Sequence, residues 1–270
     1  MSTLKFNWKL TSSQPIKIQY SSHYPGMANV PADIHSSIHI GLLIKGDTYF
    51  LHNGKFIQIN ENEIYLTAPW ELHRSAGSEN GNNLLLITAD PNAISSVLLH
   101  GAEKLHSLFR IPLDQRQEIL RNVKIPEFYI ETILQLLQEK ESPERELKLY
   151  HAALGIFVAI AVLDFPTGHD AGYYRLLPSL EKLGNRPISV TEAAEACCLS
   201  ESRFAHLFRQ VFGVPFAQYD RMYRLHQAFD QIQHEHKTLK EAAENWGFYD
   251  KSHFSKVCRQ HFGRSPKKIK

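Results

Sequence analysis

EAAEACCLSESRFAHLFRQVFG (192–213) and EAAENWGFYDKSHFSKVCRQHFG (241–263) are two spellings of one pattern. EAAE recurs at an offset of 49 residues, whereas FRQVFG at 208–213 returns as CRQHFG at 258–263, an offset of 50, so the second copy carries one extra residue. Each copy opens on a capping box, Ser189-x-x-Glu192 and Thr238-x-x-Glu241, in which hydroxyl and carboxylate satisfy the free N–H groups of a helix start. Two alanines follow in each (Ala193 and Ala194; Ala242 and Ala243), small enough to let another helix cross closely. The turns are CLS (198–200) and GFYD (247–250), and the extra residue falls in the second.

A second helix is expected after each turn. In copy one Phe204, Leu207, Phe208 and Val211 recur at i, i+3, i+4 and i+7 and define one buried face. Copy two offers Phe254, Val257, Cys258 and Phe262. The outer side carries Ser202, Arg203, Ala205, His206 and Arg209 in one copy and Lys251, Ser252, Ser255, Lys256 and Arg259 in the other. Helix, short turn, and a second helix with a small, polar or cationic outer face is the helix-turn-helix pattern, whose second helix enters the major groove. Tandem hairpins also build solenoids, but two copies are fewer than a stable solenoid needs. Between the copies, Pro215 can start a helix striped by Tyr219, Met222, Phe229 and Ile232. Some 18 residues of helix reach roughly 27 Å. That approaches the approximately 34 Å between successive major-groove faces of DNA.

RPISVTEAAEACCLSESRFAHLFRQVFGVPFAQYDRMYRLHQAF followed by TLKEAAENWGFYDKSHFSKVCRQHFGRSP resembles the DNA-binding domain of the AraC family of bacterial transcription regulators, over about 175–270. Cys198 stands where that family often has a turn glycine, Cys258 where it usually has phenylalanine, and Pro215-Phe216 where Ser-Pro is common. The resemblance implies two DNA-reading helices. Lys251, Ser252 and Lys256 are placed for base edges, Arg259, Lys267 and Lys268 for phosphates, and Ser202, Arg203, His206 and Arg209 form a weaker set in copy one.

The charge distribution agrees with a basic module joined to something else. Residues 1–170 carry 14 Lys+Arg against 18 Asp+Glu, and 171–270 carry 16 against 10. No acidic residue follows Asp250. The stretch DFPTGHDAGYY (164–174) reads as a linker, giving domains at 1–168 and 173–270.

In the amino-terminal part, IHIGLLIKG, DTYFLHNGKFIQI, NEIYLTAP and NNLLLITAD predict short strands, with Asn53-Gly54 as a hairpin turn. From Pro91 to Phe165 the period is helical, broken at Pro143, and Ala152–Phe165 reads as a buried helix too short to span a bilayer. The fold class is therefore α+β: a β-barrel or sandwich with flanking helices, then an all-α domain with two helix-turn-helix motifs joined by a long helix. Residues 39–73 are similar to the cupin-like effector domains of AraC regulators, which implies that the amino-terminal domain is a cupin-like β-barrel sensor that binds a small organic effector. His35, His39, Tyr49, Trp70 and His73 are the effector candidates, with Phe50, Phe56 and Tyr65 as further aromatics.

In metal-binding cupins the ligand positions would fall on Asp33, His35, His39 and His73, and imidazole and carboxylate suit zinc, iron or nickel. The substitutions at the first and third of these positions argue against a metal, and no cofactor is expected. Three cysteines, two adjacent, fit neither a disulfide framework nor a zinc module. No export signal is visible, so a cytoplasmic location is expected. The expected partners are promoter DNA, a small organic effector, RNA polymerase and a second copy of the chain, through amphipathic helices between 112 and 165; no membrane and no catalysis are expected. A metal-dependent cupin enzyme fused to a DNA-binding tail, or an effector-independent architectural DNA binder, are the competing readings.

Overall fold

The computed structural model describes residues 10–23, 34–52, 55–75, 80–165, 172–262 and 265–266. Two compact units are present, one built on residues 8–30 and 36–170 and the other mainly on 171–270. The linker motif and Asn53-Gly54 fall largely outside the described residues, but Tyr173 and Tyr174 belong to a helix rather than to a linker.

The first unit is a six-stranded antiparallel sheet with helices. Its strands are β1 (Ile16–His23), β2 (Ile38–His52), β3 (Lys55–Asn60), β4 (Ile64–Thr67), β5 (Arg74–Ser75) and β6 (Asn82–Ala89), in the order β1-β6-β2-β3, with β4 and β5 also pairing β2. Two strands expected from IHIGLLIKG and DTYFLH are one continuous strand of 15 residues. Its first half pairs with β4 and β6, and its second half with β3 and β5. The change of partners follows a register shift between Leu43 and Lys45, as expected where a strand turns a corner between sheets. Gly46 (φ 84°) sits just beyond it, where a Cβ would lie 2.3 Å from the Gly81 carbonyl oxygen. Only glycine fits there.

Five helices follow: α1 (Pro91–Leu98), α2 (Gly101–Arg110), α3 (Leu113–Leu120), α4 (Glu127–Leu136) and α5 (Pro143–Ala161). Pro143 is the first residue of α5, where its missing N–H costs nothing, and Ser142 caps the helix by accepting from the Arg145 N–H. Ala152, Ala153, Ile156, Phe157 and Ile160 are buried, whereas Val158 and Val162 are exposed. The apolar run expected to form a buried helix is thus buried along one side and exposed at Val158 and Val162. Against β4, the fully buried Arg116 of α3 donates to Glu71 (2.7 Å) and to the carbonyl oxygens of Leu66, Leu108 and Ile111. A guanidinium buried this deeply is tolerable because its donors are satisfied.

The second unit is helical: α6 (Gly172–Glu181), α7 (Val190–Ala196), α8 (Glu201–Phe212), α9 (Phe216–His234), α10 (Leu239–Asn245) and α11 (Lys251–Phe262). Both expected capping boxes are present, at Ser189/Glu192 and Thr238/Glu241. Phe208 lies between Phe204, Phe212, Phe216 and Tyr219 at centroid separations of 4.6–5.5 Å, each pair contributing about 0.5–1.5 kcal/mol beyond burial. Phe212, not Val211, completes this face, because Val211 is only half-buried. In the second core Leu225, Phe229, Ile232, Phe248, Phe254, Val257 and Cys258 pack with Ala242 and Ala243. Burial pushes the Cys258 thiol up to about 12.

Candidate nucleic-acid interface and sheet interior

The helix-turn-helix geometry repeats in detail. In the first motif α7 ends at Cys197, Cys198 takes the left-handed conformation (φ 52°), and Ser200 caps α8 by accepting from the Arg203 N–H. In the second, Gly247 takes that conformation (φ 66°), and Asp250 accepts from the His253 N–H at 2.6 Å before α11. Cysteine thus occupies a conformation that favours glycine. A Cβ at Gly247 would approach the Asn185 carbonyl oxygen to 2.8 Å, so the second turn has no such freedom.

Ser202, Arg203, His206 and Arg209 are all exposed on α8. On α11, Lys251, Ser252, Lys256 and Arg259 are exposed and Ser255 is half-buried. Phe204, Leu207 and Phe208, and Phe254, Val257 and Cys258, turn the other face of each helix inward. Lys267 and Lys268 lie outside the described residues. The joining helix α9 has 19 residues, a length of about 28 Å. It also supplies an ion pair that sequence reading missed: Arg224 with Asp220, 3.0 Å apart and both buried. Burial raises the Asp220 carboxyl, and the Arg224 charge opposes that shift. Arg and Asp at i, i+4 would ordinarily be taken for a solvated helix pair.

In the sheet, Thr67 of β4, His39 of β2 and Thr88 of β6 stand directly opposite one another and are 0%, 3% and 2% exposed. The register continues the row to Lys17 of β1, whose ammonium is lowered by burial. Two residues along, on the same face, come Tyr65, Gly41 and Leu86. The Tyr65 ring lies over Gly41, where a Cβ would come within 2.0 Å of it, and against Phe50 at 4.1 Å between centroids. Burial pushes its phenol far above the ordinary value.

His73 packs edge-on to His39 at 5.6 Å. Its Nδ1 lies 2.9 Å from the Glu71 carbonyl oxygen, which can only accept, so in the neutral ring the proton is on Nδ1 and Nε2 presents a lone pair. Glu71 is fixed by Arg116 and by the Ala68 N–H, next to Trp70 at φ 63°. His35, His39 and His73 are buried, and one nitrogen of each lies within 4.8 Å of the others. Three imidazoles of this kind could hold a borderline divalent cation. Asp33, the fourth position considered, is outside the described residues. Tyr49 and Trp70 are half-buried, Tyr49 on the opposite face of β2 from Phe50, and Phe56 is exposed. The Thr67–His39–Thr88 row carries no sequence signal, because it depends on strand register.

Residues 193–270 match a family model described as a helix-turn-helix domain. Over 90 residues the chain is 29% identical to the arabinose operon regulatory protein of Escherichia coli K12, covering 33% of this chain and 31% of that protein. The carboxy-terminal domain is of the AraC type. This AraC-type domain is also 33% identical over 87 residues to the probable transcriptional regulator LumQ of Photobacterium leiognathi, covering 32% of this chain and 35% of LumQ. The chain thus spans about a third of the length of the curated relatives it matches. Beyond the AraC-type domain, the fold is similar to that of ToxT from Vibrio cholerae, with a TM-score of 0.63 and 14% identity over 94% of this chain and 97% of ToxT. ToxT bound to (E)-4-(8-methylnaphthalen-1-yl)but-3-enoic acid matches at a TM-score of 0.62 and 13% identity, over 94% of this chain and 98% of that one. Among the described residues no helix is long and apolar enough to cross a membrane.

Proposed function

We propose that this protein is a sequence-specific DNA-binding transcription regulator with an amino-terminal sensor (1–168) and an AraC-type DNA-binding domain (173–270). The observation that carries the reading is the pairing of two matched reading helices, each buried on its Phe204/Phe208 or Phe254/Cys258 side and exposed on its Ser/His/Lys/Arg side. Lys251, Ser252 and Lys256 address base edges, and Arg203, Arg209 and Arg259 address phosphates, as positions on helices that enter adjacent major grooves. Selection of duplexes from a random pool by the full chain, followed by footprinting, tests this. Two protected segments about one helical turn apart are expected, and no enrichment at moderate ionic strength overturns the reading.

The sensor is proposed to bind a small organic effector on the sheet face that carries His39, Thr67, Thr88 and Tyr65, with His73 and His35 supplying polar contacts. The carboxylic acid bound by ToxT, a protein of similar fold, makes apolar carboxylates the first compounds to screen, with Lys17 on the same face as the counter-charge. Ligand-induced melting shifts that disappear in His39→Ala and Thr88→Val place the effector on this face. RNA polymerase is the expected contact at the promoter, in the cytoplasm.

A second copy of the chain is proposed to cover the outer side of α5. There Leu147, Val158 and Val162 are 68%, 48% and 73% exposed, beside Phe128 of α4 at 67%. Leu147, Lys148, His151 and Phe128 line a groove of about 630 Å³. The histidine cluster favours one competing reading, a metal-dependent enzyme. Metal analysis of the purified chain decides it: stoichiometric zinc, iron or nickel lost in His73→Ala would support a metal centre.

A further inference from the structure

The bond that closes each turn and the bond that caps each second helix recur in both motifs, which identifies the residue that the second has and the first lacks. The Leu199 N–H donates to the Ala194 carbonyl at 3.0 Å, and the Phe248 N–H donates to the Ala243 carbonyl at 2.9 Å. Leu199 and Phe248 are therefore equivalent. Ser200 and Asp250 are equivalent as well, since each caps the N–H three residues on. Nothing stands between Leu199 and Ser200, but Tyr249 stands between Phe248 and Asp250. Tyr249 is the insertion.

The turn gains nothing from this side chain. Phe248 is 4% exposed and lies against Phe254 and the Arg224 guanidinium, so it anchors the turn, while Asp250 starts the helix. Tyr249 is 90% exposed, the most exposed large apolar side chain among the described residues. Its backbone is nevertheless fixed, since the Tyr249 N–H donates to Nδ1 of His253 at 3.3 Å. An aromatic ring is thus held outward on a rigid turn, two residues before Lys251, at the end of the helix that approaches DNA. The exposed residues in the first two turns of α11 are Lys251, Ser252, His253 and Lys256, and α11 contains no acidic residue. The Asp250 carboxylate is occupied by its cap. This surroundings suits a polyanion rather than an acidic or apolar protein patch.

We propose that Tyr249 is a DNA contact peculiar to the second motif. The phenol O–H donates to a phosphate oxygen at the edge of the major groove, and the ring packs on the adjoining deoxyribose. Tyrosine is among the side chains that donate to phosphate. It has only two side-chain torsions to immobilise, so the contact costs little entropy. Because the phenol is neutral, the contact releases no counterion, which separates it from a lysine or arginine contact.

The inference rests on the DNA-binding reading, and the test keeps the two apart. Affinity of the full chain for a selected duplex is measured by fluorescence anisotropy over a salt series, for the native protein, Tyr249→Phe, Tyr249→Ala and Lys256→Ala, with melting of each as a control. Tyr249→Ala is expected to bind about three- to tenfold more weakly, with unchanged melting and an unchanged slope of log affinity on log salt. Tyr249→Phe keeps the ring and is expected to lose part of that. A neutral methylphosphonate at the contacted phosphate removes the difference between the native chain and Tyr249→Phe. If both tyrosine variants bind like the native chain while Lys256→Ala is impaired, the Tyr249 contact is refuted and DNA reading by α11 stands. If Lys256→Ala is also unimpaired, the DNA reading of this helix fails first. Lost transcription with unchanged DNA affinity would assign Tyr249 to a protein partner and overturn the inference.

Discussion

Arg224 of α9 donates to the carbonyl oxygen of Trp246 at 3.0 Å, so the helix that joins the two motifs also holds the turn of the second. The same guanidinium reaches the Gly247 carbonyl at 3.4 Å and pairs with Asp220 through two nitrogens. Removing Asp220 strands a buried cation. Asp220→Ala is expected to cost about 3–5 kcal/mol in urea denaturation of the full chain. Arg224→Lys should also destabilise, because an ammonium cannot serve the carboxylate and both carbonyls in one plane.

Lys256 and Lys267 are expected to separate base reading from backbone attraction. Lys256→Ala relaxes base preference in one half of the site, by about 1–3 kcal/mol of discrimination. Lys267→Ala weakens binding to all duplexes and reduces the salt slope by about one. Competition titrations with selected and random duplexes measure both. Equal effects of the two changes on specific and random DNA would move the reading face away from Lys256.

The second unit was legible in the sequence because duplication exposes equivalent positions: the caps, the alanine pairs and the inward phenylalanines could each be checked against a second copy. Arg224 was not legible. Its partners are 22 and 23 residues away, through backbone carbonyls that have no residue signature. In the first unit the histidines could be named, but not their surroundings. Thr67 and Thr88 join His39 only through the register of three strands, and β2 does not break at Lys45-Gly46 as its turn-like composition suggests. Val158 and Val162 look buried in any reading of an apolar run, and only packing shows which side of α5 is left bare.

Dimer formation through that bare side predicts a clean dissociation. Leu147→Glu combined with Val162→Glu replaces exposed side chains and should leave melting unchanged, yet convert a dimer to a monomer in sedimentation equilibrium. DNA affinity should then fall about 10²-fold or more through loss of effective concentration. A native chain that sediments as a monomer at tens of micromolar refutes this interface.

His106 predicts how the first unit responds to acid. Burial holds its imidazole below the ordinary value, Arg110 adds to that and Glu103 partly opposes it, while Nε2 lies 2.7 Å from the Ser95 hydroxyl. A lowered folded value means the unfolded chain binds the proton more readily. The contribution of His106 to stability is complete above about pH 6.5 and is lost as pH falls through that range. Melting between pH 7.5 and 5.5 should drop less steeply in His106→Gln than in the native chain. Parallel curves would remove His106 from the account.

The two reading helices share their inward residues and differ in their outward ones, with Ala205-His206 in one at the place of Ser255-Lys256 in the other. They lie on a single polypeptide and carry different outward residues, so they are not identical half-site readers. On the proposed DNA-binding reading, a lone molecule would bind an address that has a direction, in which the left and right ends spell different words. Flipping such an operator in front of a gene would reverse which end of the regulator faces the start point, and the output should change even though every base contact is kept.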